Sequence, residues 1–185
     1  MYGLVNAALK ELVISQYSHD VWDKVARAAS LTETQFDKMH AYDDALTYQL
    51  VTIACRELGV HQDDFLKALG KFWVPFTERQ GYGPLFDIAG PSLHDFLLSL
   101  DELHRRVGTS FRNLRPPSFH FETVNAHTLR MHYVTQRSNL CPFVVGLLSG
   151  LSLRFDTPIQ VEEAQCARRG ADHCEFVLVL SPPSS

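Results

Sequence analysis

The spacing of apolar residues changes from a helical to a strand-like pattern near residue 118. Before residue 107 they recur at intervals of three and four, which is typical of amphipathic helices. After it they alternate with polar residues, as in antiparallel hairpins, and one further helix at about 140–155 separates two such hairpins. Helices followed by hairpins, without regular alternation, predict an α+β fold: N-terminal helices plus a C-terminal antiparallel sheet with packed helices.

Capping residues and helix breakers set the expected ends of the helices. Ser18 or Asp20 is a suitable cap for the second helix, and Asp43 or Asp44 for the third, which Gly59 would end. The pattern predicts five helices before residue 110, at about 4–13, 22–29, 46–58, 62–76 and 93–107. Pro75 predicts a kink or an early end in the fourth, because it lacks an amide donor.

Length and composition indicate a single soluble domain. The chain has 185 residues, 45% of them hydrophobic, and a net charge of −4. We expect one domain over 1–180 and a disordered tail over 181–185. Basic residues occur only in isolated pairs, which argues against nucleic acid as a partner. No signal peptide is apparent and no apolar run approaches the roughly 20 residues of a membrane helix, so we expect a cytoplasmic protein without a membrane partner.

His104 is the first candidate for a chemical role. It follows Leu97 by seven residues and Leu100 by four, so its imidazole shares the apolar face of its helix. A histidine in this position can be a core residue whose ring is satisfied by a backbone carbonyl. It can also be a metal ligand.

Tyr133, Thr135 and Arg137 form the second candidate group. They stand at alternate positions of a predicted strand, so their side chains would project from one face. Two hydroxyls and a guanidinium can bind a carboxylate, for which the planar fork of arginine is well suited. The alternative is a polar face on an edge strand.

Four segments together resemble one known family over essentially the whole chain. They are Met1–Asn6, Leu100–His104, Leu114–Phe119 and the Tyr-x-Thr-x-Arg pattern at 133–137. The sequence resembles the haem nitric oxide/oxygen-binding (H-NOX) family, which includes the sensor domain of the soluble guanylate cyclase β subunit and bacterial stand-alone H-NOX proteins. The departure is Thr135, where the family signature has serine, and it keeps the hydroxyl.

The resemblance implies that the cofactor is haem b. His104 would be the proximal iron ligand, and Tyr133, Thr135 and Arg137 would bind the propionates. Pro117 would press on the macrocycle and distort it. Three leucines would line the haem, namely Leu4, Leu100 and Leu147.

The distal side would determine which gas is bound. Family members that hold oxygen stably use a distal tyrosine as a hydrogen-bond donor, and the matching position here is Phe143, with Trp73 nearby. Phe143 has no donor, so we expect a ferrous haem that responds to nitric oxide and carbon monoxide. Binding of nitric oxide would weaken or break the bond to His104 and so signal in trans. The resemblance implies a histidine kinase or a cyclic-dinucleotide enzyme as partner.

Three cysteines indicate a possible second metal site. Cys166 and Cys174 flank a turn, and Cys141 begins the preceding helix. Some H-NOX proteins carry a structural zinc here, completed by a histidine at the position of Glu163. Cys141, Glu163, Cys166 and Cys174 are therefore possible zinc ligands, with His173 as an alternative fourth and three reduced thiols as the alternative to zinc. Cys55 is expected to be an ordinary core residue.

A haem-free alternative remains open. The pattern of Cys166, Gly170, Cys174 and Phe176 also resembles four-vinyl-reductase-type domains, which would make the protein a small-molecule, redox or zinc-binding module. Catalysis is not expected, because no nucleophile and base pair is recognisable.

Overall fold

The computed structural model describes residues 1–31, 35–110 and 115–181. Within these ranges the helices are α1 (Gly3–Gln16), α2 (His19–Ala28), α3 (Asp44–Leu58), α4 (Gln62–Thr77), α5 (Gly83–Ala89), α6 (Leu93–Leu98), α7 (Leu100–Ser110) and α8 (Cys141–Arg154). The strands are β1 (Ser118–Asn125), β2 (Thr128–Val134), β3 (Ile159–Gln165) and β4 (Cys174–Leu180). The α+β prediction is confirmed. Of the predicted tail, 182–185 lies outside the described residues, as does Leu114 of the family-like pattern.

Local signals select several helix ends. The Ser18 hydroxyl accepts a hydrogen bond from the Val21 amide and so caps α2. Asp43 caps α3 by accepting from the Ala45 amide, and Gly59 ends the helix with φ 66°, a left-handed conformation that glycine adopts without strain. These ends follow the sequence prediction because each depends on neighbouring residues alone.

The region after Pro75 is more helical than its sequence suggests. Pro75 lies within the last turn of α4, and a wider π-helical turn, Glu78–Tyr82, follows directly. The chain then changes direction at Gly81, where φ is 94°. The pattern predicted only a turn here, but Pro84 occupies the first turn of α5, where a missing amide hydrogen costs nothing.

The predicted single helix over 93–107 is two helices, which corrects the sequence prediction. The break falls at Ser99, whose hydroxyl donates to the carbonyl oxygens of Ala89 (2.6 Å) and Phe96 (2.9 Å). Such side-chain bonds compete with regular helix bonding. The predicted helix end at about residue 107 is also corrected, because α7 continues through Gly108 to Ser110.

The two predicted hairpins form one antiparallel sheet with the strand order β1-β2-β4-β3. Pairing between β2 and β4 places Tyr133 opposite Cys174 and His132 opposite Glu175. Strand β2 ends at Val134, so Thr135 and Arg137 lie just beyond the strand on which they were predicted. The sheet therefore joins the two groups of candidate residues although 41 positions separate Tyr133 from Cys174 in the sequence.

Two hydrophobic clusters make up the core. The first lies among α1–α4 and includes Trp22 and the predicted core residue Cys55. The second lies between the inner face of the sheet, α6 and α8. Helices α4 and α8 join them through two glycines: a Cβ at Gly70 would lie 2.1 Å from the Phe143 carbonyl oxygen, and one at Gly146 would lie 2.1 Å from that of Lys67. No helix within the described ranges combines the length and apolar character needed to cross a bilayer.

Candidate functional site

A cavity of about 840 Å³ lies between the two clusters, bounded by helices on both sides and by the end of the sheet. Its volume is in the range of small-molecule and cofactor sites. All but one of the predicted cofactor-binding residues line it. They are Leu4, Trp73, His104, Pro117, Tyr133, Thr135, Arg137, Phe143 and Leu147.

Leu100 is the exception, and the prediction that it lines the cavity was wrong. It is the first residue of α7 and packs against the second hydrophobic cluster, the one between the sheet, α6 and α8. The prediction came from the family resemblance. Leu103 and His104, on the following turn of α7, line the cavity instead.

His104 lies on α7 and faces the cavity. Its ring is 5.6 Å from the Phe119 ring on β1, measured between centroids. The Nδ1 atom is buried and has no hydrogen-bond partner among the described residues, so no described backbone carbonyl satisfies it. Burial lowers the pKa of His104, partly opposed by the nearby Asp101 carboxylate. At neutral pH the ring is therefore neutral, the form in which imidazole binds metals.

A polar corner of the cavity contains the other predicted group. Tyr133 is buried, and burial raises its pKa, so its hydroxyl keeps its proton and can donate a hydrogen bond. The backbone amide of Arg137 donates to the Thr135 hydroxyl at 3.1 Å. The Arg137 guanidinium donates to the Arg115 carbonyl oxygen (2.7 Å) and to Asp44 (2.7 Å from Nε). The Arg137 guanidinium is thus a charged group in the cavity wall, held by Asp44 and by the Arg115 carbonyl oxygen.

Asp44 is the site residue that the sequence did not reveal. The sequence suggests only a helix cap, yet its carboxylate pairs with Arg137 and with the amine of Met1. Burial raises the pKa of Asp44, but the bonds to these two cations outweigh it and hold the pKa below its usual value. No local pattern predicts the pair, because 93 residues separate Asp44 from Arg137.

The part of the cavity wall formed by α4 and α8 is aromatic and apolar. Trp73 on α4 and Phe143 on α8 meet edge to face, with 6.3 Å between ring centroids. Leu147 lies one turn after Phe143 on the same helix and also lines the cavity. Of these three side chains, the Trp73 indole alone carries a hydrogen-bond donor.

The three predicted thiols come together on the inner side of the sheet. Cys141 Sγ is 2.8 Å from Cys174 Sγ and 3.6 Å from Cys166 Sγ. The ligand atoms of these cysteines and a Glu163 oxygen all lie within 4.8 Å of one another. Thiolates on a tetrahedral zinc are about 3.8 Å apart, given Zn–S bonds of about 2.3 Å. The donor set therefore fits a four-coordinate zinc after small adjustments.

The surroundings of Cys141 and Cys166 favour the protonated form of these two thiols. Burial raises the pKa of Cys141, and the two neighbouring thiols raise it further. Burial likewise raises the pKa of Cys166, with Glu163 as the next cause. Glu163 also forms a 2.8 Å ion pair with Arg169. His173, the alternative fourth ligand, lies elsewhere, with its Nε2 atom 2.9 Å from His132.

Comparisons with known proteins match most of the chain to one family. The family model described as "Haem-NO-binding" matches residues 2–163. Two soluble guanylate cyclases of Caenorhabditis elegans are similar: gcy-35 is 30% identical and gcy-32 is 32% identical, with 96% and 86% of this chain covered. The matched regions are 27% and 24% of those cyclases, so the chain spans about a quarter of their length.

Solved structures share the fold. An H-NOX protein from S. oneidensis in the Fe(II)NO ligation state superposes with a TM-score of 0.90, covering 98% of this chain and 100% of that one at 20% identity. An oxygen-binding H-NOX domain related to soluble guanylate cyclases gives 0.84 at 20% identity, covering 99% and 96%. At this identity the likeness establishes the fold alone.

Proposed function

Because the chain belongs to the haem-NO-binding (H-NOX) family, we propose that its cavity binds haem b and that the domain is a haem-based gas sensor. The observation that carries the proposal is the cavity itself. A buried, neutral imidazole and an arginine-containing polar corner line one apolar space, and a haem needs an axial ligand and partners for two carboxylates.

Each lining residue has a defined part in this proposal. His104 would coordinate the iron, and burial favours the neutral ring that this requires. The Arg137 guanidinium would bind the propionate carboxylates with help from the Tyr133 and Thr135 hydroxyls. Asp44 would orient Arg137, since it already holds the Nε atom. Pro117 would contact the macrocycle from the same wall.

The aromatic wall bears on the choice of gas. A bound haem would supply a ferrous iron that can bind a diatomic gas. Phe143 cannot donate a hydrogen bond to polarised dioxygen, so we propose nitric oxide and carbon monoxide as the ligands. Among Trp73, Phe143 and Leu147, the Trp73 indole alone could donate a hydrogen bond. Its edge contact with Phe143 constrains its orientation.

The output would pass through α7. In this proposal His104 would hold the haem iron, and binding of nitric oxide would weaken or break that bond and so release α7. The domain itself would sense rather than catalyse, and it would act in trans on a histidine kinase or a cyclic-dinucleotide enzyme. We expect a cytoplasmic location, supported by relatives named as soluble cyclases.

We propose a structural zinc for Cys141, Cys166, Cys174 and Glu163. The convergence of their ligand atoms supports it. Zinc binds thiolates, so its binding would release the thiol protons, and zinc affinity should fall on acidification. Metal analysis of protein purified without chelator tests this proposal, and well under one zinc per chain would reject it.

The haem proposal is tested by absorbance. Protein produced with added haem should show a Soret band that His104→Ala abolishes and free imidazole restores. The control is His94→Ala on α6, which should keep the band. Colourless wild-type protein after haem supplementation would overturn the proposal and favour the haem-free, four-vinyl-reductase-type alternative.

The gas preference needs a second measurement. Ferrous protein should respond to nitric oxide and to carbon monoxide but should not hold oxygen stably in air. Phe143→Tyr adds a donor to the wall and should lengthen oxygen retention, whereas Phe143→Leu should not. Stable oxygen binding by the wild type would refute the proposed selectivity while leaving haem binding intact.

A further inference from the structure

A second cluster of potential metal ligands lies away from both the cavity and the thiols. It consists of His132, His173 and Glu175. His132 Nδ1 is 2.9 Å from His173 Nε2 and 3.9 Å from a Glu175 carboxylate oxygen. One ligand atom from each of the three residues lies within 4.8 Å of the other two.

The sheet register creates this cluster. His132 on β2 is paired directly with Glu175 on β4, and His173 immediately precedes β4. Their neighbours Tyr133 and Cys174 point to the core. Because successive side chains of a strand point to opposite faces, His132 and Glu175 lie on the outer face of the sheet. The cluster is thus back to back with the candidate haem and thiol sites and shares no residue with either.

We propose that His132, His173 and Glu175 bind a divalent transition metal, with zinc as the expected ion. Two imidazoles and one carboxylate are a ligand set that zinc uses where a coordination position stays open. With metal–ligand bonds of about 2.0–2.1 Å, tetrahedral ligand atoms are about 3.3 Å apart. The separations of His132 Nδ1 from His173 Nε2 (2.9 Å) and from the Glu175 oxygen (3.9 Å) lie on either side of that value.

A neighbouring carboxylate supports His132 as a ligand. A metal on Nδ1 requires the proton on Nε2, and metal-bound histidines commonly donate that proton to a carboxylate. His132 Nε2 is buried without a hydrogen-bond partner among the described residues, and a Glu122 oxygen lies 3.7 Å away. A small rotation of the exposed Glu122 side chain would supply the outer partner.

The carboxylate of the cluster is unusually well shielded. Only 10% of the Glu175 side chain is exposed, and its other oxygen lies 3.3 Å from the Arg130 guanidinium. A buried carboxylate is stabilised by positive charge, and one arginine at this distance leaves the oxygen facing His132 available. The remaining coordination position would take water or His120, whose ring centroid is 6.1 Å from that of His132.

Zinc stoichiometry tests the site directly. Untagged full-length protein would be stripped with chelator, dialysed against buffered Zn²⁺ and analysed by mass spectrometry. His132→Gln/His173→Gln should bind one zinc per chain fewer than the wild type. Because each protein keeps the same thiol cluster, zinc held there cancels in the comparison, and haem is not required.

Three variants make the result specific. His127→Gln, an exposed histidine in the β1–β2 turn, should bind as much zinc as the wild type. Glu175→Gln keeps the shape but loses the anionic ligand, and should weaken binding at this site at least tenfold. His173→Gln alone, outside the strands, carries the test should the double variant not fold. Equal zinc in the wild type and in a folded His132 or His173 variant would overturn the proposal.

Discussion

Helices α7 and α8 border the same cavity but are held in the protein in opposite ways. On α8, seven residues are buried, and Gly146 lets its backbone touch that of α4. On α7, none of the described side chains is fully buried. The helix is anchored through Asp101, which accepts hydrogen bonds from the Phe119 amide (2.7 Å) and the Ser118 hydroxyl (3.1 Å).

This difference separates a fixed wall from one that can move. Close-packed helix pairs resist small displacements, because every shift costs contacts or creates overlap. Segments with few buried contacts open at lower free energy. The candidate iron ligand His104 is on the weakly packed helix, and Phe143 is on the tightly packed one. A ligand that changes the hold on His104 would therefore act on the wall that can respond.

Matched glycine substitutions give the largest expected contrast. Gly146→Ala places a Cβ 2.1 Å from the Lys67 carbonyl oxygen, so α4 and α8 must separate, and we expect a loss of about 3–4 kcal/mol in the free energy of unfolding. Gly108→Ala on α7 meets nothing within 4 Å and should gain about 0.5–1 kcal/mol from helix propensity. Urea denaturation of the two variants measures both. Similar effects at the two positions would remove the distinction between the walls.

Leucine truncations probe the same contrast through side chains. Leu148 on α8 is 2% exposed, and Leu148→Ala should cost about 2–3 kcal/mol through lost burial and a residual cavity. Leu103 on α7 is only partly buried, so Leu103→Ala should cost about 1 kcal/mol. The comparison uses urea unfolding of both variants in one haem state. A larger loss for Leu103 would show that α7 is the better packed helix.

The sequence predicted these helices with unequal success, and the reason is physical. The limits of α8 follow from local features, chiefly the apolar run that Pro142 opens near its N-terminus. Helix α7 was predicted as part of a longer helix. The interruption at Ser99 was missed because it involves a bond to Ala89, ten residues earlier. Contacts of that span leave no trace in local periodicity.

The candidate site shows the same division. The apolar face of its helix made His104 a candidate, and alternation did the same for Tyr133, Thr135 and Arg137, but only the family resemblance gave these residues roles. Asp44 was missed as a site residue, since its partner Arg137 is 93 positions away. The contact of Cys141 with the hairpin cysteines was predicted only through the family resemblance. The contact of His132 with Glu175 could not be predicted, because it depends on a strand register that only the folded sheet defines.

Two adjacent carboxylates on α7 test how that helix is anchored. Asp101→Ala removes the bonds to β1 and leaves the Phe119 amide without this acceptor, so we expect a loss of about 1–2 kcal/mol. Glu102→Ala removes only exposed ion pairs with Arg105 and Arg106 and should change stability little. Hydrogen exchange of α7 amides should quicken in the first variant and not in the second. Equal exchange in both would mean that another contact anchors α7.

The smallest expected effect concerns the pair between Asp44 and Arg137, which ties the helical side of the cavity to the chain beyond β2. The pKa of Asp44 is lowered in the folded protein, so its carboxylate stabilises the fold above the unfolded-state pKa of about 3.9. That contribution is lost as the pH falls through the lower, folded-state pKa.

Asp44→Asn should therefore be less stable than the wild type from pH 7 to about 5, and the two should converge below about pH 4 in urea titrations. Asp64→Asn, at an exposed position of α4, provides the control, with little effect at neutral pH. A difference between wild type and Asp44→Asn that persists unchanged into acid would show that the aspartate acts through shape rather than charge. The connection that Asp44 and Arg137 make between the two sides of the cavity would then be insensitive to pH.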